Sequence, residues 1–321
     1  MIKRERTPVD INDAFFPVSE ETLYWRDNYN NQHRIRDFVA LVDERGKTLS
    51  VVTKGYSLVT NVEAYHWADY IIKGVFDKLK LEDFECFKLY MPASRGSMYM
   101  DLFVPYRFNQ PFPDIDDAYV PFIRIENSYN KTVKLKYEVG FCRWMCQNGA
   151  IIGRKSYQFS MNHSEWINGA KIDEIVKKAR ESIGSISDLW SEFQQKLRML
   201  RKYYVPLDLW LPIFCKVYRV SNAKKITPQQ EKRIARVKTS IKEYSEELGN
   251  NAYGLFNVMT DFASYPDDDN KHSFFTNSYQ HKAGDWADEF LRKSAEENFE
   301  IYQYVGKDAI ETATLFESKN K

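Results

Sequence analysis

The rhythm of apolar and polar positions changes once along the chain. Up to about residue 160, short blocks rich in Val, Leu, Phe and Tyr alternate with turn residues, which is the pattern of strands. Arg36 to Asp43 and Thr48 to Thr60 read as a hairpin joined by Glu44-Arg45-Gly46-Lys47, where Gly46 can take a positive φ. Asn61 is placed to cap a helix from Val62 to about Lys80, in which Ala64, Trp67, Ile71, Val75 and Phe76 recur at helical spacing. Strands are expected again over Phe84 to Met91, Ser97 to Val104, Ala118 to Glu126, Thr132 to Val139 and Ala150 to Met161. Pro105, Pro111, Pro113 and Pro121 hold the intervening chain to loop or sheet edge.

Beyond His163 the period lengthens. Ile172, Val176, Ala179, Ile183, Ile186, Trp190, Phe193, Leu197 and Leu200 step by alternating fours and threes, a heptad seam with a weak point at Gly184. A second seam, Ile234, Val237, Ile241, Tyr244 and Leu248, follows a strong start signal: Thr227 as cap, Pro228 in the first turn and Gln230 completing a capping box. Gly249 ends it. The two seams suggest an antiparallel helical hairpin or helices that pair between subunits. Further helices are expected over Ala252 to Phe262 and from about Trp286 to Phe316. The fold class is therefore α+β: a β-rich N-terminal half with one inserted helix, followed by long antiparallel helices. Two domains are expected, 1–163 and 164–321, the second holding the heptad-patterned hairpin and an acidic C-terminal helix.

Composition narrows the class. The 321 residues are 43% hydrophobic and 28% charged, enough apolar surface for a core and too much for a disordered chain. No run approaches the ~18 apolar residues of a membrane helix, and Met1-Ile2-Lys3-Arg4-Glu5-Arg6 lacks the apolar core of a signal peptide. A cytoplasmic protein is expected, with no membrane partner. Cys86, Cys142, Cys146 and Cys215 are too few and too scattered for a disulfide framework.

Charge changes the picture more. The net charge is +1, yet from Lys196 to Lys242 thirteen basic residues face only Asp208 and Glu231, a local +11. From Asp261 onward thirteen acids outweigh seven bases, a local −6. Clustered cations release counterions from a phosphate backbone, and aromatics beside them stack bases. The candidate nucleic-acid residues are Lys196, Arg198, Arg201, Lys202, Lys224, Lys225, Lys232, Arg233, Arg236 and Lys238, with Tyr203, Tyr204 and Trp210 for stacking. The competing readings are solvated faces of amphipathic helices with core aromatics, or pairing of this segment with the acidic C-terminal region.

Other chemistry is sparse. Cys142 and Cys146, with His163 downstream, offer three zinc ligands, but the spacing is not C-x-x-C and no second pair exists. They read as small buried hydrophobes. Asp114, Asp116 and Asp117, and Asp267 to Asp269, would suit Mg²⁺ but lie in loops where acids are common. His66 and His272 have no identifiable partner. Phosphate-binding, nucleophile-elbow and zincin motifs are missing. No catalytic residue, metal or cofactor is assigned, and nothing positive argues for an enzyme.

The stretch from Ile125 to Ala150, with Asn127 and Ser128 and then Arg143, Cys146 and Asn148, resembles the phage- and plasmid-borne domain-of-unknown-function 932 family. Leu49 to Ala64 is similar to that family's strand, turn and helix entry, and Asn251 to Phe262, with Asn251, Gly254 and Asn257, to its late helix. The three matches fall in order over about 215 residues; Gly149 departs from the bulkier residue of many members. The resemblance implies an accessory protein of mobile elements in a bacterial cytoplasm, with no assigned activity. In structural terms Arg143 is expected to bond a nearby carbonyl or carboxylate, Cys146 to pack inside and Asn148-Gly149 to make a tight turn; the alternative is that Arg143 and Asn148 line a ligand groove. Two functions follow as expectations. One is binding of single-stranded DNA as an oligomer, for annealing or protection, with the seams of 172–200 and 234–248 joining subunits. The other is a protein-interaction module, such as an inhibitor of a host defence complex, without DNA binding.

Overall fold

Gly46, at φ 75°, turns the chain between β2 (Gln32–Asp43) and β3 (Thr48–Thr53). The Asp43 carboxylate fastens this turn by accepting from the backbone N–H groups of Arg45 (3.0 Å) and Lys47 (2.9 Å). An additional strand, β1 (Val18–Arg26), joins β2 antiparallel and completes a three-stranded sheet. The expected hairpin is present, with its second strand ending at Thr53 and not at Thr60. The computed structural model describes residues 8–76, 79–104, 110–111, 118–143, 148–151, 158–161, 163, 177, 181–183, 185–220, 227–265 and 276–318.

Thr60, not Asn61, caps α1 (Asn61–Val75): its hydroxyl accepts from the Glu63 N–H, and the Glu63 carboxylate accepts from the Thr60 N–H. Asn61 is instead buried in the first turn and donates to the Ala14 carbonyl at 3.0 Å. A seven-stranded antiparallel sheet follows, in the order β10 (Gln158–Met161), β8 (Leu135–Arg143), β7 (Ala118–Ser128), β5 (Ser97–Phe103), β4 (Glu85–Tyr90). Two short strands hang on it, β6 (Gln110–Pro111) on β7 and β9 (Asn148–Ala150) on β8. Because side chains alternate between faces, Met100, Ile125, Tyr137 and Phe159 share one face, in register across four strands. That face is apolar and lies under α1, where the Tyr137 hydroxyl donates to the Ala64 carbonyl at 2.8 Å.

The helices are α2 (Ile186–Lys202), α3 (Trp210–Tyr218), α4 (Pro228–Leu248), α5 (Ala252–Ser264), α6 (Thr276–Ser294), α7 (Ile301–Val305) and α8 (Lys307–Ser318). The first seam does not run as one straight helix: α2 starts afresh at Ser185, whose hydroxyl caps the Asp188 N–H. Ile172, Val176 and Ala179 lie outside the described residues. The single helix expected over 286–316 is three, and Gly306 at φ 85° separates the last two.

The expected pairing of the two seams also needs correction. Leu189, Phe193, Leu197 and Leu200 of α2 are buried against α5, α6 and the sheet, where Phe193 stacks on Phe141 at 4.3 Å. Ile234, Val237 and Tyr244 of α4 are buried chiefly against α5. All thirteen residues of α5 are buried, so this helix is the axis on which the others pack. Among the described residues these buried positions are thus covered within one chain, while Ile186, Trp190, Ile241 and Leu248 stay half-buried. A single hydrophobic cluster takes in Ile125 and Phe141 from the sheet together with Phe193, Trp210, Phe256 and Phe290 from the helices. Among the described residues no helix is long and apolar enough to cross a membrane.

Candidate functional site

The basic segment does not act as one surface. Trp210 is 0% exposed, and its indole N–H donates to the Val205 carbonyl at 3.1 Å, so it packs and cannot stack a base. Tyr203 is half-buried with its ring edge-on to Phe290. Lys196 is paired with Asp288 (2.7 Å) and Glu192 (2.9 Å); burial opposes its charge, and these two carboxylates override that and raise its pKa. Arg236 donates to the Tyr265 carbonyl (2.7 Å) and Lys238 to that of Phe316 (2.9 Å), which spends both on closing the helical layer. Arg198 and Arg233 are half-buried. Lys224 and Lys225 lie outside the described residues. Arg201, Lys202 and Lys232 are exposed, and Tyr204 stands 69% exposed beside the first two. The Lys196–Asp288 pair ties this one cation to the acidic C-terminal region.

The family positions are joints of the fold. The Asn127 amide donates to the Val59 carbonyl (3.0 Å) and to Asn61 Oδ1 (2.9 Å), holding the entry of α1 against β7. Ser128 Oγ donates to the Val133 carbonyl at 2.7 Å across the β7–β8 turn. Arg143 meets a carboxylate as expected, that of Glu247 at 2.6 Å. Asn148 and Gly149 do not form a turn: they belong to β9, where the Asn148 amide donates to the Tyr244 hydroxyl (2.9 Å) and the Gly149 N–H to Ser264 Oγ (3.0 Å). A Cβ at 149 would sit 2.6 Å from Gln280 Nε2, so a larger residue there would displace the end of that side chain. Cys146 lies outside the described residues, and Cys142 is buried. Asn251 caps α5 by accepting from the Gly254 N–H (2.9 Å), and a Cβ on Gly254 would meet the Trp210 ring at 2.7 Å and the Gly249 carbonyl at 2.8 Å. Asn257 is buried and donates to the Tyr253 carbonyl at 2.9 Å.

The second face of the large sheet carries a charged ladder that no linear motif announces. Lys88, Asp101, Arg124 and Glu138 lie side by side across β4, β5, β7 and β8. Arg124, fully buried, makes a bidentate pair with Asp101 (2.6 and 2.7 Å) and donates to Asn277 Oδ1 (2.7 Å). Asn277 in turn donates to Glu126 (2.8 Å), Lys136 bridges Glu126 and Glu138, and His281 lies 3.1 Å from Glu138. Burial alone would raise the Glu138 carboxyl; the His281 contact and the charges of Lys136 and Arg124 outweigh it and hold its pKa below the ordinary value. Asn277 and His281 stand one turn apart on α6, so the ladder fastens that helix to the sheet. Its three cations and three anions balance, and it works as a lock.

An exposed aromatic and cationic surface occurs elsewhere, on the β1–β2 ribbon. The pairing slips between Thr22, opposite Val39, and Tyr24, opposite Arg34. Beyond Thr53, where β3 ends opposite Phe38, the ribbon continues as two strands only. Every residue from 24 to 34 except Asp27 is exposed, with Tyr29 at 87%. Tyr24 and Arg34 pair across one face and Arg26 follows on it, while Trp25 stacks on His33 on the other at 4.7 Å. Asp27 ties the tip: its carboxylate accepts from the N–H groups of Tyr29 (2.9 Å) and Asn31 (2.8 Å) and meets His33 at 2.9 Å. Sequence reasoning passed over this ribbon because both faces are wet, so no period-2 pattern marks β1, and Glu20, Glu21, Asp27 and Asp37 cancel its arginines in any charge count.

Together these features define an α+β protein with a lock-like charged interior and an exposed aromatic ribbon. Residues 48–273 match the family described as domain of unknown function (DUF932), and the chain belongs to that family. No curated protein and no solved structure matches it.

Proposed function

We propose that the protein binds single-stranded nucleic acid on the β1–β2 ribbon, with Tyr24 and Tyr29 stacking bases while Arg26, Arg34 and Arg36 meet phosphate. The observation that carries this reading is the exposure of these aromatics directly beside arginines, clear of the core. Arg201, Lys202 and Tyr204 make a second, smaller contact of the same composition. Annealing or protection on a phage or plasmid belongs to this proposal through the sequence resemblance alone.

Fluorescence anisotropy with labelled oligo-dT tests it. With about three phosphate contacts, log affinity falls against log salt with a slope near −2. Tyr24→Ala is expected to cost about 1–3 kcal/mol of binding, and Arg34→Ala to flatten the salt slope by about 0.7. Binding that ignores salt and both substitutions sinks the reading. A protein partner is the second reading, favoured by the same ribbon because Tyr, Trp and Arg are enriched in protein interfaces. It predicts no affinity for oligo-dT at any salt, together with capture of a host protein that the Tyr24→Ala change abolishes.

A further inference from the structure

The three-stranded sheet ends on β1, whose outer edge pairs with no other strand among the described residues. Unpaired N–H and C=O groups along such an edge are a template for another strand, and folded proteins blunt them with short strands, lysine, proline or cover. The other described edges are treated in this way. β3 has six residues between Lys47 and Lys54, β6, β9 and β10 have four or fewer, and β4 has the Val9 N–H on its Cys86 carbonyl at 2.8 Å. β1 has nine residues, Val18–Arg26, with neither lysine nor proline among them. Its slip against β2 does not break it, because Leu23 alone stands against residues 35–38 and the slack falls on β2. The edge is therefore about 30 Å of continuous strand.

The charges on β1 say what this edge fits. A second copy that meets it about a two-fold axis perpendicular to the sheet runs antiparallel, and facing residues must lie on the same side of the strand, so one residue of β1 meets itself at the axis. The centres that keep most of β1 paired are Glu21, Thr22 and Leu23. Centring on Glu21 sets that carboxylate on its own copy, and centring on Thr22 leaves Glu20 facing Tyr24 and Arg26 facing Val18. Centring on Leu23 sets Glu20 opposite Arg26 at both ends of the joint, with Thr22 opposite Tyr24, Glu21 opposite Trp25 and the half-buried Leu23 opposite itself. Glu20 and Arg26 are both exposed; among the described residues Glu20 has no partner, and Arg26 donates to Asn30 Oδ1 at 3.0 Å. We infer that β1 pairs antiparallel with β1 of a second copy of this chain, centred on Leu23 and held in register by two Glu20–Arg26 ion pairs, so that two three-stranded sheets become one of six strands. The joint does not rest on the nucleic-acid reading. Arg34 and Arg36 lie on β2, one strand in from it, and the five N–H donors of Arg26 serve a carboxylate and a phosphate together.

The test is sedimentation equilibrium of the full chain over a concentration series at low salt, with no nucleic acid present. A monomer–dimer equilibrium is expected. Glu20→Arg alters an exposed side chain and sets arginine against arginine at both ends of the joint, so it is expected to weaken the dimer about tenfold. Adding Arg26→Glu to that variant reverses both partners and is expected to restore the wild-type constant. Glu21→Arg makes the same change of net charge but faces Trp25, whose ring accepts a cation, and should leave the dimer within about twofold of the wild type. A chain that stays monomeric throughout, a dimer that Glu20→Arg leaves intact, a loss that Arg26→Glu fails to repair, or an equal loss in Glu21→Arg overturns the joint. Because the readout is mass without an oligonucleotide, failure of the ribbon as a nucleic-acid surface would leave it unchanged, and the two failures are told apart.

Discussion

Arg124 shows what a single buried charge demands of its neighbours. With no exposed surface it keeps its proton because Asp101 faces it with both oxygens and Asn277 takes a third N–H. Removing one member of such a pair strands the other in a medium that cannot solvate it, at a cost of about 3–5 kcal/mol. Asp101→Ala is therefore expected to lower the urea unfolding free energy by about that amount, and the double change with Arg124→Met to recover much of it. A single change no worse than the double would contradict the pairing. At this scale the sequence was partly readable. That Arg143 needs an acid follows from its chemistry, but nothing local points to Glu247, which lies 104 residues away and is brought within 2.6 Å only by folding. Trp210 misled because it sits in a basic segment; its own neighbours Leu209, Leu211, Ile213 and Phe214 are all buried, and that apolar run was the better guide.

Elements were readable where one end or one face is distinctive. Thr227, Pro228 and Gln230 start α4 as their chemistry dictates, and Gly46 makes its turn. The heptad spacing marked Phe193, Leu197 and Leu200 of α2 and Ile234, Val237 and Tyr244 of α4, which are buried, but missed Leu189 and did not give the partners, since a stripe packs equally well on a central helix or on a second copy. β1 was unreadable because a strand with two wet faces has no hydropathy pattern. The stability of its ribbon rests on Asp27, whose pKa is lowered from the ordinary 3.8 to about 2, first by the His33 hydrogen bond and then by the Asn31 side chain. A carboxylate depressed in the folded state contributes fully above its unfolded pKa and loses that contribution as the pH falls through the folded one. The amides of Tyr29 and Asn31 are expected to lose their hydrogen-bonded NMR shifts between about pH 4 and 2. In Asp27→Ala the same shifts should be missing already at pH 7. Shifts that persist in that variant would contradict the role of Asp27.

At the scale of the whole molecule, the described residues form one main hydrophobic core that carries a wet ribbon. The apolar sheet face under α1, the charged ladder under α6 and the fully buried α5 knit the two halves into one hydrophobic cluster. Segregated charge in the sequence suggested a single positive ridge, whereas folding sends Lys196 to Asp288 and directs Arg236 and Lys238 to carbonyls. Charge counts along a chain miss this because they ignore which helix faces turn inward. The ribbon has the opposite history, near-neutral in the count and yet rich in exposed arginine and aromatic side chains. Hydrogen–deuterium exchange of the full chain, with and without oligo-dT at low salt, tests its role most directly. The account predicts slowed exchange over residues 24–34 when the oligonucleotide is present; unchanged exchange there, with protection confined to 227–248 or found nowhere, would contradict it.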